Sequence, residues 1–154
     1  MKTIYTYSAE ETLALGEKLA RNLIDKHVVV LLEGDLASGK TTLTKGIAKG
    51  LGIEKTVNSP TFTILKVYPI NNGQKLYHLD LYRLSEVGSD FDLEDYIDSD
   101  DIVVIEWPFQ VDELLPNEYL LIKIEKLDDN TRVFYFDSHL LDEEVLDNLW
   151  KLLY

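Results

Sequence analysis

Residues 28 to 42, led by His27, read as a buried strand, a glycine-bounded loop and the opening turn of a helix, the arrangement that chemistry on a phosphate requires. Gly34-Asp35-Leu36-Ala37-Ser38-Gly39-Lys40-Thr41 matches G-x-x-x-x-G-K-[ST], the spacing of a phosphate-cradling loop. Glycines let such a loop curl until successive backbone N–H groups face phosphate oxygens. A helix opening directly behind it offers its unpaired N–H groups and positive dipole end to the same anion. Lys40 would reach the β- and γ-phosphates, and the Thr41 hydroxyl would ligate the magnesium that bridges them. The nucleotide-binding candidates are therefore Gly34, Asp35, Leu36, Ala37, Ser38, Gly39, Lys40, Thr41 and Thr42, with a nucleoside triphosphate and magnesium as the implied ligands.

Phosphoryl transfer also needs magnesium ligands and a means of placing water in line with the γ-phosphate. Magnesium takes a few oxygen ligands plus waters, and open α/β sheets bind ligands beyond the carboxyl ends of their strands. Two apolar strands end in an acid there: Asp80 follows Leu76-Tyr77-His78-Leu79, and Glu106 follows Ile102 to Ile105. Glu106 is assigned with Thr41 to the metal, directly or through water. Asp80 is assigned to a supporting position or to orienting the attacking water, with the reverse allocation left open. Ser59-Pro60-Thr61 falls where nucleotide switches sense the γ-phosphate, which makes Thr61 a further phosphate or metal contact; an ordinary turn is the equal alternative. His78 alternates with Asp80 and reads as a packed strand residue rather than a base. Arg83 reads as a surface ion-pair partner of Asp80 ahead of a charge donor in the transition state, and Trp107 as a core aromatic ahead of a ring stacked near the site. Lys45, Lys49 and Lys55 read as the solvated side of the loop helix, or as a rim facing an RNA-bearing partner.

The elements that must hold these groups are legible around them. Val28 to Leu32 is an unbroken apolar run, as a strand covered on both faces requires. Thr42 to Leu51 has helical spacing and stops at Gly52. Lys2 to Tyr7 alternates as a strand, and Ser8-Ala9-Glu10-Glu11 forms a capping box for a helix running to about Lys26. Gly16 on its apolar side suggests close packing. A strand ending near Pro69, the Asn72-Gly73 turn and a strand over Lys75 to Leu81 make one hairpin. A short helical piece is expected around Leu93 to Ile97, and Ile102 to Trp107 is a strand. Glu118 to Leu127 and Thr131 to Asp137 pair across Asp128-Asp129-Asn130, and Asp142 to Leu153 closes as an amphipathic helix. The expectation is one α/β domain over residues 1–154. Its mixed sheet of about seven strands is parallel near the loop and extended by antiparallel hairpins.

Composition sets the outer limits. The 154 residues carry 15 basic and 28 acidic side chains, a net charge of −13, so any RNA must be met through a local patch or a partner. There is no cysteine, which removes disulfides and cysteine-based zinc sites or nucleophiles. Met1 to Tyr7 has no secretory pattern and no apolar run matches a bilayer, so a cytoplasmic protein is expected.

Gly-Asp-Leu-Ala-Ser-Gly-Lys-Thr-Thr from Gly34, Ser-Pro-Thr-Phe from Ser59, His-Leu-Asp-Leu-Tyr-Arg from His78 and Glu-Trp-Pro from Glu106 occur in this order. Together they resemble the small bacterial ATPase of tRNA threonylcarbamoyladenosine biosynthesis, the TsaE (formerly YjeE) family, from the first helix to the second hairpin. The resemblance implies a P-loop NTPase-like, three-layer fold. It also implies ATP hydrolysis in support of TsaB- and TsaD-type proteins that install threonylcarbamoyl on the adenosine beside the tRNA anticodon. It puts Thr41 and Glu106 on magnesium, Asp80 in support of hydrolysis and Ser59 to Thr61 in a switch, with tRNA met only indirectly. It further puts the nucleotide base near Ala9 to Thr12 and Asp128 to Arg132. Ala37-Ser38 departs from the Gly-Ala usual in the family, at a cost of about 1 kcal/mol should Ala37 need a positive φ. Two other readings compete: a small-molecule kinase of the nucleotide-kinase type, and a nucleotide-dependent binding module whose hydrolysis is incidental. The kinase needs cations enclosing an acceptor, and Arg21, Arg83 and Arg132 are dispersed along the chain.

Overall fold

The computed structural model describes residues 2–24, 27–35, 38–54, 65–80, 100–106 and 119–139. In chain order these form β1 (Lys2–Thr6), α1 (Ala9–Arg21), β2 (Val28–Glu33), α2 (Lys40–Gly50), β3 (Leu65–Pro69), β4 (Lys75–Asp80), β5 (Ile102–Glu106), β6 (Tyr119–Lys126) and β7 (Arg132–His139). The seven described strands share one sheet in the order β1-β7-β6-β2-β5-β4-β3. β2 is central, parallel to β5 on one side and β6 on the other, and β4 continues the parallel block beside β5. β3, β7 and β1 extend it antiparallel, so the mixed sheet expected from the sequence is the one formed.

The apolar run of β2 follows from its place. Val28, Val30 and Leu32 enter one core with Leu15 and Leu19 of α1 and Leu43 and Ile47 of α2. Val29 and Leu31 enter a second core with Leu79, Val103 and Ile105 on the opposite face. A strand covered on both faces reads as a near-continuous apolar run instead of an alternation. The two helices pack closely enough that a Cβ on Gly16 would lie 2.5 Å from the Leu43 carbonyl oxygen, and one on Gly46 would run into that of Leu13.

The local signals at element ends are realised. Ser8 Oγ accepts the Glu11 N–H at 3.1 Å, while the Glu11 carboxylate takes the N–H of Tyr7 at 2.5 Å. Gly73 has φ +92, the left-handed shape for which the Asn-Gly turn selects. The expected run of the first helix to Lys26 is corrected: α1 stops at Arg21, with Asn22 as its C-cap. Leu23 and Ile24 turn back on the Ala20 carbonyl yet stay apolar and packed, so their spacing mimics another helical turn. α2 begins at Lys40, two residues before the expected Thr42. No described helix is long and apolar enough to cross a membrane.

Candidate functional site

The parallel block aligns the ends of three strands. Asp80 and Glu106 are register partners across β4 and β5, and Glu106 is also the partner of Leu32, two residues before Gly34. Both acids therefore stand beside the loop that leaves β2. They are buried, Asp80 at 6% exposure and Glu106 at 2%.

Lys40 is 5% exposed and folds over the loop, where its Nζ donates to the Gly34 carbonyl and, at 3.4 Å, to that of Asp35. Burial holds its pKa below the ordinary lysine value, while Glu106, Asp80 and Asp35, in that order, pull it back up. A buried ammonium among three carboxylates accepts further anionic oxygen only when a cation joins it, as a magnesium-bound triphosphate would supply.

The loop's geometry depends on its bounding glycines. Gly39, the N-cap of α2, has φ +116, a conformation that strains any other residue. At Gly34 a Cβ would come within 2.6 Å of Ser38 Oγ and 2.7 Å of the Ile124 carbonyl oxygen on β6. Ser38 donates its N–H to the Asp35 carbonyl at 3.1 Å, and its buried hydroxyl has no hydrogen-bond partner among the described residues. Thr41 and Thr42 are half-buried in the first turn of α2.

A cleft of about 100 Å³ opens at this turn. Gly39 and Thr42 form one wall, Ser8, Ala9 and Thr12 of the α1 start another, and Asp129, Asn130 and Arg132 a third. The two segments to which the resemblance assigned the nucleotide base thus meet at the mouth of the loop. Buried Thr6 and Thr12 share a hydroxyl hydrogen bond of 2.7 Å that fixes the α1 wall to β1. The third wall is set by Asp128, whose carboxylate accepts the N–H groups of Asn130 and Thr131 at 2.9 and 2.8 Å. Those bonds, above all, hold the Asp128 carboxyl below its ordinary pKa. Arg132 donates to the Asp128 carbonyl at 2.8 Å, and its Nε lies 3.7 Å from where a Gly39 Cβ would be.

Gly34, Asp35, Ser38, Gly39, Lys40, Thr41 and Thr42 thus share one site with Asp80 and Glu106. Leu36, Ala37 and Thr61 lie outside the described residues, as do Ser59, Pro60, Arg83, Trp107, Lys55, the helical piece at 93–97 and the closing helix. Arg132, at the end of a segment where the resemblance put the nucleotide base, stands beside Gly39 of the loop. One contribution escaped the sequence. His78 is packed, as expected, at 0% exposure, but its Nε2 is also 2.5 Å from Glu106 Oε2. Alternation with Asp80 could have placed it on the site's side of the sheet; its partner on β5 could not be read.

The donor set suits magnesium. Among the described residues no three His, Cys, Asp or Glu side chains form a ready-made cage. Magnesium needs none, because one or two carboxylates and a hydroxyl suffice when phosphates and waters complete the octahedron. Thr41, Glu106 and Asp80 offer such hard oxygens.

The chain is similar to known proteins over most of its length. A family model described as threonylcarbamoyl adenosine biosynthesis protein TsaE matches residues 6–134. The tRNA threonylcarbamoyladenosine biosynthesis protein TsaE of Bacillus subtilis is 44% identical over 134 residues, spanning 86% of this chain and 83% of its own. The protein of the same name from Haemophilus influenzae is 38% identical over 137 residues, spanning 84% and 86%. A crystal structure of Bacillus subtilis YdiB superposes with a TM-score of 0.79 at 34% identity, covering 98% of this chain and 93% of that one. The matched stretch runs from the end of β1 into β7 and takes in the loop, both acids and the cleft walls. The chain belongs to the TsaE family, with its P-loop NTPase-like α/β fold.

Proposed function

We propose that this chain, acting as one domain, is a magnesium-dependent ATPase. Its hydrolysis supports threonylcarbamoyl modification of the adenosine next to the tRNA anticodon, together with TsaB- and TsaD-type partners in the cytoplasm. The observation that carries the reading is the meeting of Lys40, Asp80 and Glu106 at the carboxyl ends of adjacent parallel strands, around a glycine-bounded loop that opens a helix. The family membership supplies the pathway.

The loop N–H groups and Lys40 bind the β- and γ-phosphates, and the α2 start adds its dipole. Thr41 and Glu106 would hold magnesium, which when bound neutralises charge on the phosphates. Asp80, alongside Glu106 in register, orients the attacking water and accepts its hydrogen bond. Ser8 to Thr12 and the 128–132 turn enclose the nucleoside end, with Arg132 at its junction with the phosphates.

The test is ATP turnover by the isolated protein, repeated with the partner proteins and tRNA added. Turnover that rises at least about tenfold in the complex, and is lost in Lys40→Ala, is expected. Unchanged turnover, or faster transfer of phosphate to a metabolite than to water, would replace this reading.

A further inference from the structure

We propose that His78 is a positioning residue for Glu106, holding its carboxylate in the orientation that a Thr41–Glu106 magnesium site needs; the proposal rests on the ATPase reading above. The Nε2 to Oε2 distance is 2.5 Å, within a pair whose side chains are 0% and 3% exposed. We assign the proton of this contact to Nε2, which donates to Oε2 as the carboxylate accepts. The other ring nitrogen, Nδ1, is buried with no hydrogen-bond partner among the described residues.

That combination is poor design for stability alone. His78 lies opposite Val104 on the side of the sheet that also buries Leu76, where an aliphatic side chain would pack without an unpaired nitrogen. The ring's contribution is to Glu106. A glutamate carboxyl rotates in a broad well about its last torsion, and a hydrogen bond to Oε2 commits that oxygen and leaves Oε1 to the metal or its water. Groups that orient a ligand from behind commonly change metal affinity or activity by 10- to 100-fold when removed.

The experiment follows Mn2+ uptake by electron paramagnetic resonance in the full chain with a non-hydrolysable ATP analogue, alongside analogue affinity in EDTA and the melting temperature. His78→Leu should weaken Mn2+ binding about 10- to 100-fold while analogue affinity in EDTA stays within about twofold. His78→Gln, whose amide N–H can reach the place of Nε2, should recover most of the loss. Should the leucine variant fail to fold, His78→Asn serves instead, since its shorter arm fills the site without reaching Glu106. Mn2+ binding by a folded His78→Leu or His78→Asn equal to that of the wild type overturns the proposal and leaves the ATPase reading standing. A glutamine variant no better than these overturns it as well. A wild type that takes up no Mn2+ with the analogue removes the ATPase reading, and this proposal with it.

Discussion

Lys40 concentrates the site's electrostatics in one side chain. Desolvation disfavours its ammonium and Glu106, Asp80 and Asp35 favour it, with desolvation the larger. The fold therefore binds that proton less tightly than the unfolded chain does. Between the lowered value and the ordinary 10.5, stability rises with pH as the charge is shed. A triphosphate bound as proposed would reverse the preference, because it pairs with the charged form. Nucleotide affinity should accordingly fall as pH climbs through the lowered value, and a Kd series from about pH 7 to about pH 10 on wild type and Lys40→Met should show the decline in wild type only. Removing the Glu106 carboxylate acts on the other half of the site. Glu106→Ala should keep nucleotide affinity within about tenfold and lose turnover by roughly 100-fold or more, read by equilibrium titration and phosphate release. Survival of tRNA modification in that variant would separate binding from hydrolysis as the working step.

Two elements, α1 and the β6–β7 turn, have a structural duty that their composition understates. α1 belongs to the site only because Gly16 and Gly46 let its axis approach α2 so closely. The sequence disclosed Gly16 as a packing signal but not what it packs on. Gly46→Ala should cost about 1 to 3 kcal/mol through overpacking. That corresponds to roughly 2 to 10 °C in melting temperature for a domain of this size, measurable by thermal denaturation. The β6–β7 turn depends on Asp128, whose lowered pKa gives the sign: its contribution is in place above the ordinary carboxylate value of 3.8 and lost as pH falls through the lowered one. Asp128→Ala should loosen the wall made by Asp129 and Asn130. Nucleotide affinity should fall about threefold to tenfold with little change in melting temperature, since only exposed turn hydrogen bonds are removed.

For the whole molecule, sheet order determines which chemistry is local. β2 is flanked by strands contributed from far along the chain, so that β5 delivers Glu106, β4 delivers Asp80 and the β6–β7 hairpin delivers Arg132 to one end of the sheet. The net charge of −13 gives the rest of the surface its character. Free tRNA should bind more weakly than about 100 μM at physiological salt, the outcome expected of a chain that meets tRNA through the proposed partner proteins. A filter-binding or fluorescence titration with and without those partners measures the difference.

The sequence by itself determined what short stretches of chain decide: the G-x-x-x-x-G-K-T loop between a buried strand and a helix, the Ser8 cap, the Asn72-Gly73 turn, and two apolar strands that end in acids. Each rests on backbone geometry or side-chain period within a few residues. The pairing of those strand ends was settled by tertiary structure alone. Asp80 against Glu106, His78 bonded to an acid 28 residues away, Arg132 beside Gly39 and α1 seated on α2 all follow from strand order, register and helix approach. Those quantities are fixed when the whole sheet closes its hydrogen bonds and buries both faces, and no local spacing encodes them.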